Sequence, residues 1–166
     1  MNAEEIIKKF NLKPHPTEGG YYAETYRAEH VLLKPCLPDS YESQRALSTA
    51  IYYMLTPGTK SVLHRLPTDE VYHFYLGDPV LMLQLYPEGT AKIIILGHDI
   101  KAGQSLQSTV PKNVWQGLML MEGGNYALMG TTMAPGFDFP DNEIGNRDNL
   151  LKEYPTEDSM IVKLTD

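Results

Sequence analysis

Cysteine is nearly absent from this chain: Cys36 is the only one in 166 residues, so no intrachain disulfide can form. No Asn-x-Ser/Thr glycosylation acceptor occurs either, and both absences fit a reducing compartment, so a cytoplasmic location is expected. Positive charge is scarce, with 14 Lys and Arg against 21 Asp and Glu and a formal net charge of -7. A surface of that sign repels a phosphate backbone, which argues against nucleic acid as a partner. Long apolar runs are missing as well. The longest are of the Ile93–Leu96 kind, far short of the ~20 residues a membrane span needs. The opening Met1–Glu5 is acidic where a signal peptide is basic and then apolar, so no membrane partner is expected. Nothing is low in complexity and the prolines are scattered, so residues 1–166 are read as a single domain.

What is present is the punctuation of an all-β protein. Ile6, Ile7 and Phe10 share one face of a short helix over Ala3–Phe10, with Asn2 and Glu5 placed for a capping box. From Gly19 onward, short runs rich in Tyr, Val, Ile and Thr are separated by Gly, Pro, Asn and Asp. Strands are predicted near Tyr21–Ala28, Leu47–Leu55, Ser61–Leu66, Glu70–Leu76, Leu81–Tyr86, Ala91–Leu96, Ser105–Val110, Trp115–Met121 and Tyr126–Met133. So many short strands in one domain imply a sandwich or barrel. After Gly136, Arg147–Tyr154 and Thr156–Leu164 read as short helices split by Pro155, although Ile161–Leu164 also suits a strand.

The chemistry concentrates between Gly58 and Gly77. A strand carrying His64, a Pro67-Thr68-Asp69 turn and a return strand from Glu70 bring an imidazole and a carboxylate across a hairpin. Period-2 alternation places Glu70, Tyr72 and Phe74 on one face and Val71, His73 and Tyr75 on the other, unless a bulge intervenes. Tyr52, Tyr72 and Tyr126 are strand tyrosines able to offer an apolar wall and a hydroxyl. No phosphate cradle, no Gly-x-Ser-x-Gly elbow and no Cys-His pair at informative spacing is present, so nucleophilic catalysis has no visible candidate.

The frame Gly58, His64, Glu70, Gly77 resembles the first motif of the cupin superfamily, and Pro111–Gln116 resembles a degraded second motif. The resemblance sharpens to the cupin family called domain of unknown function 985, or cupin-5. It rests on His15–Arg27, on Leu63-His64-Arg65 with Asp69-Glu70 and His73-Phe74-Tyr75, on Val110-Pro111 with Trp115, and on Ala134-Pro135-Gly136-Phe137-Asp138-Phe139. The resemblance implies a double-stranded β-helix, the cupin jelly-roll barrel, with short helices at both ends and a homodimeric assembly, and it supplies no settled activity. At the positions where metal-binding cupins carry ligands this chain has His64, Leu66, Glu70 and Gln116. Leu cannot coordinate and Gln offers a neutral amide, so no metal or other cofactor is expected. A divalent metal, if bound, would fall to His64, Glu70 and Gln116.

The expectation for function is a barrel pocket that holds a small polar metabolite among Tyr52, Tyr72, Phe74 and Gln116. His64 and Glu70 would supply acid-base chemistry, with His64 as base and a Tyr hydroxyl, that of Tyr126, as acid, in the manner of sugar-nucleotide epimerases or isomerases. Two alternatives stand beside it. One is a non-catalytic ligand-binding or storage-like dimer, and the other a metal-dependent cupin enzyme with a reduced ligand set.

Overall fold

Two antiparallel sheets lie face to face, and a helical layer covers the outer face of each. The structure is a computed structural model that describes residues 1–166. Helix α1 (Ala3–Phe10) starts at the expected capping box: the Glu5 N–H donates to Asn2 Oδ1 and the Asn2 N–H donates to Glu5 Oε2, each at 2.9 Å. Asn11 ends it in the left-handed region, a conformation its short polar side chain tolerates. There follow β1 (Lys13–Pro14), β2 (Tyr21–Arg27), β3 (Val31–Leu32), β4 (Arg45–Ala46), β5 (Thr49–Leu55), β6 (Lys60–Arg65) and β7 (Glu70–Gly77). Next come β8 (Val80–Leu85), β9 (Ala91–Leu96), β10 (Gln107–Val110), β11 (Trp115–Leu120), β12 (Ala127–Met133) and β13 (Glu143–Ile144), and then helices α2 (Arg147–Glu153) and α3 (Asp158–Lys163).

One sheet has the order β1-β2-β5-β12-β7-β10 and the other β13-β6-β11-β8-β9, while β3 and β4 pair by themselves. The fold is therefore the expected jelly roll, with two facing sheets that strand pairing does not close into one continuous barrel. All nine predicted strands are present within a few residues of their expected bounds. The two-residue strands β1, β3, β4 and β13 are too short to carry any periodicity.

Alternation along the strands builds three apolar clusters. Tyr53, Tyr72, Phe74, Met82, Leu118 and Met129 meet between the sheets. Their strand neighbours face outward: Met54 and Leu128 pack with Ile6 of α1, and Leu63, Leu83 and Trp115 pack with Leu150 and Ile161 of the C-terminal helices. Ile161–Leu164 takes the helical alternative because i, i+3 spacing turns Ile161 and Leu164 onto one buried face, whereas strand alternation would separate them. No helix is long and apolar enough to cross a membrane.

Residues 134–142 cross one end of the sandwich as a strap. Phe137 N–H donates to Thr49 Oγ1 at 2.9 Å, and Gly136 N–H donates to the Ala46 carbonyl at 2.8 Å. The strap is anchored by Arg45, whose guanidinium donates through Nε to Asp141 Oδ2 at 2.6 Å and through Nη2 to Oδ1. Both side chains are almost fully buried, and the Tyr41 ring lies 5.4 Å from the guanidinium carbon. A bidentate pair of this kind is held by geometry as much as by charge. Arg45→Ala leaves Asp141 buried and unpaired, so urea unfolding should show a loss of about 3–5 kcal/mol. Arg45→Lys, which keeps charge without the fork, should lose less, and a loss under ~1 kcal/mol for the alanine variant would exclude this pair as the anchor.

Candidate functional site

A cavity of about 290 Å³ opens beneath the strap. His15, Glu18, Glu70 and Thr131 lie at its buried end, while Glu24, Arg27 and Phe139 stand exposed at its mouth. Ile51, Leu66 and Met133 contribute apolar wall.

The buried end is assembled across the fold from three separate places. Strand β7 supplies Glu70 on its inward face. Strand β6 is bulged, since Gln116 pairs with His64 while Leu118 pairs with Ser61, which leaves one extra residue on β6. The freed backbone is fully used: the Val62 N–H donates to the Glu18 carbonyl at 2.8 Å, and the Leu63 N–H donates to the Leu164 carbonyl at 2.7 Å. His64 Nδ1–H donates to the Val62 carbonyl at 2.8 Å, which fixes the tautomer of the neutral ring and leaves Nε2 as an acceptor.

The third contributor is the turn between β1 and β2, which carries Glu18. Gly19 follows at φ +87°, and a Cβ there would stand 2.4 Å from the Lys60 carbonyl oxygen, so only glycine lets the turn press against β6. Glu18 Oε2 then lies 3.6 Å from His64 Nε2. Asn142, from the end of the strap, donates to Glu18 Oε1 at 2.6 Å. His15 Nδ1 accepts from the Glu18 N–H at 3.0 Å, so in the neutral ring the proton sits on Nε2, 3.8 Å from Glu18 Oε1. Gln116 does for Glu70 what Asn142 does for Glu18, donating from Nε2 to Glu70 Oε2 at 2.7 Å.

The placements revise several sequence expectations. His64, Glu70 and Gln116 do come together, but only Glu70 lines the cavity, with His64 and Gln116 behind it. Tyr72 and Phe74 share the face of Glu70 as alternation requires, yet both lie in the core between the sheets, Phe74 edge-on to His98 at 4.9 Å. Tyr52 faces the opposite way, packing on Phe10 of α1 at 4.9 Å; its neighbour Tyr53 takes the inward position and donates its hydroxyl to the Gly19 carbonyl at 2.7 Å. Tyr126 belongs to the cluster under α1, so it stands away from the cavity. His73 also faces outward, within 3.2 Å of Thr132 Oγ1 and 3.1 Å of Gln107. The bulge in β7 pairing falls after Phe74 and so does not return His73 to the pocket.

His15, Glu18 and Asn142 were not singled out as site residues from sequence. His15 and Glu18 sit within one long family motif, and Phe137–Phe139 within another, and the two motifs meet at this cavity. Their joint membership in those motifs was the available signal.

Burial dominates the electrostatics. It pushes the Glu18 and Glu70 carboxyls up from the ordinary carboxylate value, offset in part by His15 and Asn142 for Glu18 and by His64 and Gln116 for Glu70. It pushes His15 and His64 down, against the pull of Glu18 and Glu70 respectively. Burial also raises the Tyr53 and Tyr72 hydroxyls well above their ordinary value, so neither is a ready acid.

The donor set does not fit a metal centre. Leu66 occupies one position of the cupin frame, Gln116 turns its amide nitrogen toward Glu70, and no three His, Cys, Asp or Glu side chains are arranged to hold a metal ion.

A carboxyl raised in the folded state stabilises the fold fully below its unfolded value, and that contribution is lost as pH climbs through the folded value. The depressed histidines work in the other direction, costing stability as pH falls below their unfolded value. In thermal melts, Glu70→Gln should therefore lose less stability than the wild type as pH rises from 5 to 8. Parallel pH profiles for the two proteins would exclude Glu70 as a raised carboxyl.

The chain matches the family model described as Cupin superfamily (DUF985) over residues 4–145. It is 30% identical over 157 residues to the uncharacterized protein YML079W of Saccharomyces cerevisiae, covering 90% of this chain and 78% of that one. Among solved structures it is similar to a hypothetical protein from Leishmania major, at 30% identity and TM-score 0.88 over 99% of each chain. Protein SO0799 from Shewanella oneidensis is similar at 33% identity and TM-score 0.88, over 100% of this chain and 98% of that one. A variant of oxalate decarboxylase from Bacillus subtilis shares 15% identity at TM-score 0.55 over 93% of this chain and 38% of that one, a likeness of fold alone. The sandwich, the cupin frame and the two long motifs at the cavity thus come together in a chain that belongs to the DUF985 family of the cupin superfamily.

Proposed function

We propose that this cupin binds a small polar metabolite in the cavity beneath the strap and moves a proton on it through the Glu18 and Glu70 carboxyls. The observation that carries the reading is the placement of two buried carboxyls against one neutral imidazole at the closed end of a cavity that reaches the surface. Glu18 and Glu70 line that cavity and so touch a ligand. His64 stands behind them as a positioning residue that holds or releases the proton Glu18 gives up. Carboxyls raised by burial and an imidazole depressed by it approach one another in proton affinity, which lowers the cost of transfer between them.

The reaction class this supports is proton abstraction and return, as in an epimerisation or isomerisation. The walls argue against a nucleotide-sugar substrate. Arg27 is the only Lys or Arg lining the cavity, and it is already paired with Glu24 at 2.7 Å, which leaves no free cation for a diphosphate. The homodimeric assembly of the family resemblance remains part of the proposal, with the cytoplasm as its compartment.

Thermal melting in the presence of a metabolite library tests the reading, since a ligand at 100 times its Kd adds about 2.7 kcal/mol of stability. A hit that is converted, with Glu70→Gln inactive and His64→Gln shifted in its pH-rate profile, supports proton transfer. A hit that survives unchanged leaves a binding protein and removes the catalytic half. Native mass spectrometry of the same preparation reads subunit number and any bound metal, and one metal per subunit would overturn the proton-transfer scheme.

A further inference from the structure

We infer that the ligand of this cavity is a small organic cation, a primary ammonium head carried on an apolar or aromatic body. The inference rests on the cavity being a ligand site, as proposed above, and names the class of molecule it takes.

The sense of the hydrogen bonds is the first ground. Most donors around the buried end are already used inside the protein: His64 Nδ1–H on the Val62 carbonyl, the Asn142 amide on Glu18 and the Gln116 amide on Glu70, while His15 Nε2–H stays 3.8 Å from Glu18 Oε1. Arg27 is used on Glu24 and on the Phe137 carbonyl. The polar lining there is mainly acceptor in character, Glu18 and Glu70, and outside the lining stand further acceptors, His64 Nε2 in the neutral ring and the amide oxygens of Gln116 and Asn142, which have no hydrogen-bond partner. Gln116 is 1% exposed, so its oxygen is a buried, unpaired acceptor on the residue behind Glu70, and such groups are costly unless a donor reaches them. An ammonium brings three donors and no acceptor.

Charge is the second ground. Glu18, Glu24, Glu70 and Asp138 line the cavity against a single guanidinium, and that guanidinium forms a fork with Glu24. A carboxylate or phosphate entering this space finds no counter-charge in these carboxyls, whereas an ammonium favours the ionised form that offsets it.

The shape and chemistry of the walls are the third. Above the acidic floor the lining turns apolar at Ile51, Leu66 and Met133 and aromatic at the rim. There Phe139 lies 5.2 Å from Phe137 and 5.9 Å from His15, and Tyr22 lies 4.8 Å from His15. Aromatic faces beside a carboxylate recognise organic cations, and they give an apolar body its contact surface. A neutral polyol would satisfy the acceptors but leave these walls uncovered. At about 290 Å³ the cavity stands at the small end of ligand pockets and suits a single-ring compound.

Three probes with similar bodies and different heads test this directly: 2-phenylethylamine, 2-phenylethanol and phenylacetate, titrated calorimetrically at pH 7.5. The amine should bind about 10-fold or more tighter than the alcohol, and phenylacetate should bind weakest. Glu18→Gln and Glu70→Gln should each weaken the amine about 10-fold while changing the alcohol little. If either variant melts far below the wild type, Phe139→Ala at the exposed rim serves instead, and should weaken the amine about 3-fold or more. Tighter binding of the alcohol or phenylacetate than of the amine, or an amine affinity indifferent to all three substitutions, overturns the cation assignment while leaving the cavity a ligand site. So does a metabolite hit at the cavity when none of the three probes binds. Failure of probes and library together removes the ligand site itself.

Discussion

One backbone hydrogen bond, from the Val62 N–H to the Glu18 carbonyl, ties the N-terminal turn to the bulge of β6, and the site depends on it. The bulge frees the Val62 amide from the β11 ladder, and burial obliges that amide to find another acceptor. The turn supplies it, and in doing so brings the Glu18 side chain to His64. The carbonyl of the same Val62 receives His64 Nδ1–H, so one peptide of the bulge orients the ring while its neighbour holds the carboxylate that faces it. Gly19 makes the approach sterically possible. A residue with a Cβ at that position would push the turn off Lys60 and carry Glu18 away with it.

Burial of two carboxyls and two imidazoles is expensive unless each is hydrogen-bonded or charge-compensated. This protein uses amides for the purpose, Asn142 on Glu18 and Gln116 on Glu70, which orient each carboxyl without adding charge. The amides oppose the shift of each carboxyl without reversing it, and burial sets every direction: carboxyls up, imidazoles down, both toward the neutral form. A fully charged cluster of the same residues would require solvent or counter-ions that the buried end does not offer. The strap matters here because Asn142 is its last residue, so the Arg45–Asp141 pair one position earlier also holds the amide against Glu18.

Much of this was legible before any coordinates. The nine longer strands, the helix capped by Asn2 and Glu5, and the shared face of Glu70, Tyr72 and Phe74 all follow from local periodicity and turn chemistry. The family likeness likewise rested on residues in plain view. What periodicity cannot say is which of two adjacent tyrosines faces inward when both faces of a sheet are covered. Tyr52 and Tyr53 are such a pair, because α1 gives the outer face an apolar cover of its own. Glu18 was hidden for a different reason. It sits in a turn, where no period applies, and its partners His64 and Asn142 are distant in sequence. Only the three-dimensional closure of the sandwich makes it a neighbour of β6.

The substitution of Leu66 and Gln116 into the cupin frame changes what must balance the charge at the closed end. Acidic groups buried around an imidazole need positive charge from a metal ion, from protons or from the ligand. Leu66 removes a donor from the metal's side of that choice, and the Gln116 amide is committed to Glu70 through its nitrogen. Burial pushes both carboxyls toward holding a proton, which is the other way to offset the charge. A cationic ligand competes with those protons for the same oxygens, so its arrival and the release of a proton are two sides of one equilibrium. In the proposed arrangement the group that would recognise the ligand is also the group that would give up the proton, so recognition and acid-base chemistry would be coupled by electrostatics alone.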